Sequence, residues 1–208
     1  MPDYDEDNWL CKYNYLQSLR IPLAFDQLVG QIDYVKGNKS CVTSNGRRFY
    51  WVTAFSNNIM MAGKHYALFE ACHGMSLSVG VMRPGEAMQS AHGIPLLSSF
   101  YQNFTQRKGS EQYNNTVNCC LYFAGGDGSC LSHDWESEFS EQNWEGMEGL
   151  SPPYKIGMLL DLDEGTLSVY NNGRRLGVMK RGLAGHYCWV VSLQTGQVTI
   201  KRGTVPPS

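Results

Sequence analysis

Residues 154–193 read YKIGMLLDLDEGTLSVYNNGRRLGVMKRGLAGHYCWVVSL, and this stretch decides the fold. Ile156, Met158, Leu160 and Leu162 recur at every second position, the period at which strand side chains reach one face. Asp163, Glu164 and Gly165 interrupt the run as a turn does, and a second strand spans 166–170. Asn171, Asn172 and Gly173 then supply residues that tolerate positive φ, which suits the twist of a tight hairpin. Residues 174–179 are the return strand. The predicted core is Ile156, Met158, Leu160, Leu167, Val169, Leu176, Val178, Val190 and Ser192.

These residues resemble the SPRY domain family, whose signature hairpin looks like LDLDxGTLSxYxNGxRLGV followed by an RGLxG turn and a strand rich in Val and Ser. Upstream, the run from Gly63 to Glu70 is similar to the family's G-x-H-Y strand. The run from Ser78 to Pro84 is similar to its V-G-V-x-R-P strand. The resemblance covers about 31–203. It implies an all-β sandwich of two antiparallel sheets, and a non-catalytic module that captures a partner protein or peptide with loops at one end. Family contact positions fall here on the turn Gln194, Thr195 and Gly196 and on the segment from Arg47 to Val52. Some peptide-binding members carry Trp just before the glycine of that turn. Thr195 stands there in this chain, so their short acidic-Asn motif does not carry over.

Composition sets the frame for this reading. The 208 residues suffice for one domain with a single sizeable core, flanked by an N-terminal portion (1–30) and a short C-terminal tail (204–208). Hydrophobic residues make up 42% and aromatics 12%, with 22 glycines and 8 prolines as turn punctuation, the mix of an all-β globular chain. A net charge of −2 gives no broad basic field, so nucleic acid is not an expected partner. Seven cysteines, none in C-x-x-C spacing, argue against a zinc knuckle or a closed disulfide framework. The opening MPDYDEDNWL is acidic with no apolar stretch, and no run approaches a membrane span. The expectation is an intracellular, cytoplasmic monomer that does not bind membranes, with the sequons at Asn38, Asn103 and Asn114 as chance matches.

One helix is predicted, over 7–20: Trp9, Tyr13, Leu16 and Leu19 or Arg20 share a side, Asp7 or Asn8 caps the start, and Pro22 ends it. It is expected to pack against the sandwich. Further strands are predicted at 31–36, 40–44, 48–55, 64–71, 76–82 and 116–124. Two long connections, 85–115 and 125–153, exceed ordinary loop lengths and read as binding loops or disorder rather than scaffold. The second carries Asp134, Glu136, Glu138, Glu141, Glu145 and Glu148 around Trp135 and Trp144, with no Lys or Arg between His133 and Tyr154.

Several patterns invite chemistry. Asp161, Asp163 and Thr166 evoke a calcium loop, but glycine misses the sixth position and Asn172 stands at the twelfth, so a hairpin turn is the reading. Cys119 and Cys120 on one strand must face opposite ways, one toward the core and one toward the surface or a neighbouring strand. Cys72 with His73, or Cys188 with His186, displays no converging triad, so no enzyme, cofactor or metal is expected. Arg174, Arg175, Lys180 and Arg181 form a basic cluster that a solvated face explains, and pairing with the acidic connection or attraction of an acidic partner are the alternatives. Partner-binding candidates are Arg47, Arg48, Tyr50, Trp51, Tyr101, Gln194, Thr195 and Gly196. A lectin-like sandwich binding carbohydrate is the second class, resting on fold analogy and many Trp, Tyr and Asn residues.

Overall fold

Two seven-stranded antiparallel sheets stack face to face in the computed structural model of the chain, which describes residues 22–45, 51–72, 76–84, 117–134 and 140–206. Across the first sheet run β1 (Phe25–Val29), β4 (Val52–Ser56), β13 (Cys188–Leu193), β6 (Leu77–Met82), β7 (Val117–Phe123), β8 (Cys130–Asp134) and β9 (Ser140–Gln142). Across the second run β12 (Arg174–Arg181), β11 (Thr166–Asn171), β10 (Tyr154–Asp161), β5 (Lys64–Ala71), β14 (Gly196–Arg202), β3 (Asn38–Ser44) and β2 (Ile32–Val35). Among the described residues no helix is long and apolar enough to cross a membrane. The predicted helix at 7–20 lies outside them.

The alternation in β10 and β11 does what its period requires. Ile156, Met158, Leu160, Leu167 and Val169 are fully buried and meet Val79, Val81, Tyr122, Trp189 and Val191 of the other sheet in one core. Burying each such side chain is worth about 1.5–3 kcal/mol. Phe69 and Trp189 join the layers edge to face, with ring centroids 6.1 Å apart and planes at 76°. Two of the predicted core positions need correction. Leu176 and Val178 are only half-buried because β12 slips register against β11 on either side of Ser168 and Val169, and Met179 points inward instead. Val190 and Ser192 are buried as predicted, on the outward face of the first sheet.

Three further differences from the sequence reading have local causes. β1 begins before the first predicted strand, and a register shift between Phe25 and Gln27 breaks the period that would have announced it. The 125–153 connection contains β8 and β9, two short strands with little apolar signal. Cys119 and Cys120 are both buried, because the first sheet is covered on both faces. β8 also sets Cys130 beside Cys120, Sγ to Sγ 3.4 Å, and burial pushes the Cys120 thiol up.

Two turns explain residues of the signature. Asp161 Oδ1 accepts from the backbone N–H of Asp163 and of Glu164, each at 3.2 Å, while Lys64 pairs with Oδ2 at 2.9 Å. Burial pushes the Asp161 carboxyl up. The Lys64 ammonium and these N–H groups outweigh it and hold the carboxyl below its ordinary value. Asp163 in turn accepts from Gly63 N–H at 3.1 Å, so the apparent calcium carboxylates are spent on fastening the turn. At the same end of the sandwich, buried Arg83 donates to the Ala184 carbonyl and lies 4.9 Å from the Tyr187 ring centroid. Gly185 beside it sits at φ 86°, a conformation that L side chains rarely adopt, and a Cβ there would stand 2.7 Å from Arg83 Nη1.

Candidate recognition end

Strand register gathers four of the sequence-predicted positions, Trp51, Gln194, Thr195 and Gly196, at the opposite end of the sandwich. Val52 pairs with Leu193, which sets Trp51 beside Gln194. Gly196 pairs with Ser44, which brings the end of β3 to the same turn. The turn is held from three sides. Ser44 Oγ donates to the Gln194 carbonyl at 2.9 Å, Thr43 Oγ1 donates to the Gly196 carbonyl at 3.2 Å, and Gln194 N–H donates to the Ser76 carbonyl at 3.3 Å. Gly196 sits at φ 97°, a left-handed conformation that L side chains rarely adopt. Gln194, Thr195 and Gly196 are all half-buried, so the turn is fixed in shape while part of it faces solvent.

Trp51 is half-buried on the outward side of the first sheet. Its ring lies 6.1 Å from that of Phe123, tilted by 55°. Since β13 and β6 separate β4 from β7, the two rings reach toward each other over Ser192 and Ser78, which are fully buried. Phe123 is a site residue that sequence reasoning missed, because only the strand order places it near Trp51. The β7–β8 turn packs close by, with Gly125 N–H donating to the Leu77 carbonyl at 3.2 Å. On that turn the Asp127 carboxyl is held below its ordinary value by hydrogen bonds from Ser129, backbone N–H first.

Arg47, Arg48 and Tyr50 lie outside the described residues, but the segment holding them leaves from Asn45 and returns at Trp51, both at this end. Tyr101 also lies outside them. Its segment departs after Pro84 and rejoins at Val117, at the other end of the sandwich, so the register does not bring its anchors to the Gln194 turn.

The acidic connection is not a free loop in its described part. Glu148 accepts from Asn171 Nδ2 at 3.0 Å and pairs with Arg174 at 2.6 Å, and these contacts hold its carboxyl below its ordinary value. Lys180 Nζ donates to Ser132 Oγ at 3.1 Å and to Gln142 Oε1 at 3.2 Å. Half of the basic cluster is therefore engaged with this segment, while Arg174, Arg175 and Arg181 remain exposed, as a solvated face requires. Trp144 Nε1 donates to the Gly128 carbonyl at 2.8 Å, and Tyr122 Oη donates to the Glu148 carbonyl at 2.6 Å. Among the described residues no three His, Cys, Asp or Glu side chains converge as a metal cluster. Cys188 is buried, its thiol pushed up to about 12, while His186 is exposed, so the two do not form a nucleophile and base.

A two-sheet antiparallel sandwich with a pinned turn and a flanking tryptophan at one end is the class that this geometry defines. The solved SPRY domain of human HERC1 is similar over 83% of this chain and 94% of its own, at 15% identity and a TM-score of 0.55. The TRIM65 PSpry domain is similar over 92% of this chain and 95% of its own, at 16% identity and a TM-score of 0.55. No family model matches the chain, and no curated protein does. The fold is therefore that of SPRY domains, and the resemblance read from the hairpin holds at the level of fold.

Proposed function

We propose that the protein is a non-catalytic protein-binding module that grips an extended segment of another protein at the Gln194–Thr195–Gly196 end. The observation that carries this reading is the combination of a turn immobilised by Thr43, Ser44 and Ser76 with a half-exposed aromatic, Trp51, at its side. A pre-ordered turn costs little entropy on binding, and Trp and Arg are the side chains that most often anchor such contacts. Arg47, Arg48 and Tyr50 are tethered between Asn45 and Trp51, five residues of chain that reach at most about 3.6 Å each, and they supply the remaining anchors. Tyr101 contributes only if its long connection folds back along the sandwich. The partner is a protein or peptide, bound by a monomeric domain in the cytoplasm.

Selection of binding peptides from a displayed random library, with affinities measured by calorimetry, tests the reading. Peptides selected by the wild-type domain should lose at least about ten-fold in affinity to a Trp51→Ala, Gln194→Ala variant. They should bind unchanged to Met61→Ala at the other end, whose side chain is exposed. Selected peptides indifferent to the Trp51 and Gln194 changes overturn the site. A domain that yields no peptide but binds a glycan array overturns the proposal in favour of the lectin class.

A further inference from the structure

One side-chain cluster carries chemistry that neither the core nor the recognition end uses. On β7 and β8, Cys120 pairs with Ser132 and Tyr122 with Cys130, so the two thiols are diagonal neighbours on the face turned toward the core. Both are fully buried, and their sulfurs stand 3.4 Å apart. Apolar packing explains a buried cysteine, but it does not call for a cation beside the pair. Lys180 of β12 reaches across from the other sheet and donates to Ser132 Oγ, opposite Cys120 in the register, and to Gln142 Oε1 of β9. Burial pushes the Cys120 thiol up. The hydrogen bond from Cys120, the Lys180 ammonium and Ser132 hold the Cys130 thiol below its ordinary value, against the effect of burial.

We propose that Cys120 and Cys130 form a reversible disulfide when a hydroperoxide reaches them, with Lys180 as the cation that activates Cys130. The inference is independent of the function proposed above. The Cys130 thiolate attacks one oxygen of hydrogen peroxide, the O–O bond breaks, and the departing hydroxide takes up the Cys130 proton as water, leaving a sulfenic acid. The Cys120 sulfur then attacks the Cys130 sulfur, the S–O bond breaks, and the hydroxyl leaves with the Cys120 proton as a second water. Two thiols lose two electrons, and one peroxide is reduced to two waters. A dithiol reverses the bond by exchange. Access runs through the border that β9 closes. β9 pairs with β8 at three positions, Cys130 with Gln142 among them, and Ser129 Oγ donates to Glu141 at 2.7 Å. Such short edge pairing opens locally without global unfolding. The ring that the bond closes contains Phe123, which meets Trp51, and Gly128, which accepts from Trp144. Cys119 and Cys188 are not an alternative pair. Both stand opposite Met82, one on either side, so two strand spacings, about 10 Å, separate them, beyond the reach of a disulfide.

Mass spectrometry on the full chain tests this. The reduced protein is exposed to hydrogen peroxide under native conditions, alkylated in denaturant, and cleaved before aspartates without reductant. Cleavage before Asp127 and Asp134 isolates Cys130 in the peptide 127–133, DGSCLSH. This peptide should be found joined to the one holding Cys120, with Cys119 alkylated, and dithiothreitol should release it. The bond should still form in Cys119→Ser. Oxidation confined to the exposed Cys72, a bond that uses Cys119, or a pair that stays reduced until the protein unfolds overturns the proposal. The rate separates charge from access. Lys180→Met loosens the border and would speed oxidation if access alone decided, whereas loss of the activating cation should slow it about three-fold or more, with Lys180→Arg restoring it. A Lys180→Met rate at or above that of the wild type overturns the proposal as well.

Discussion

The hairpin β10–β11 and the segment from β9 to Leu150 are neighbours in sequence, yet they are held by different means. The hairpin uses backbone pairing along six registered positions and an inward row of fully buried aliphatic side chains. The acidic segment has only short pairing, and single polar side chains fasten it: Trp144 to the Gly128 carbonyl, Tyr122 to the Glu148 carbonyl, Arg174 to Glu148 and Lys180 to Gln142. A run whose stability comes from period announces itself in sequence, and a run whose stability comes from distant single contacts does not.

The contrast can be broken at either pole. Leu160→Ala should be the most damaging change, costing about 2–5 kcal/mol in denaturant unfolding because a fully buried side chain leaves a cavity in the shared core. Asp161→Ala comes next at about 1–3 kcal/mol, since two turn N–H groups lose their acceptor. Its carboxyl is held below the unfolded value of about 3.9, so its contribution is complete above that pH and is lost as pH falls through the lower folded value. In Asp161→Asn the acid limb of the stability profile should flatten, as thermal melts between about pH 5 and pH 2 would reveal.

Changes in the acidic segment should be smaller and local. Trp144→Phe keeps the ring packed edge to face on Tyr122 but removes the donor to Gly128, for about 1 kcal/mol. Native-state hydrogen exchange should show faster opening around Gly128 while β10 amides keep their protection. The smallest effect belongs to Arg174→Ala, under about 1 kcal/mol and shrinking with added salt, because the ion pair is exposed. An Arg174 effect as large as that of Leu160 would erase the distinction between the two regions.

The same contrast explains what was legible. Alternation from Ile156 to Leu160 and the glycine-bearing turns after Leu162 and Asn171 gave the sandwich and its family likeness. Phe25 and Val29 escaped because a bulge shifts their phase. Cys130 and Leu131 escaped because two apolar residues amid acids carry no period. At the candidate site, Gln194 and Trp51 were found through the family pattern, and the register brings them side by side. Phe123 was invisible, since its nearness to Trp51 depends on two intervening strands that are distant in the chain.

β12 is the outermost strand of its sheet, and its residues 174, 175, 180 and 181 are all cationic. Two register slips kink it, and the short polar β9 ends the sheet opposite. An incoming strand would have to follow an irregular line of hydrogen-bonding groups past a row of positive charges, which is how sheet proteins discourage edge-to-edge polymerisation. The irregularities that spoiled the core assignment at Leu176 and Val178 therefore blunt this border against templated aggregation.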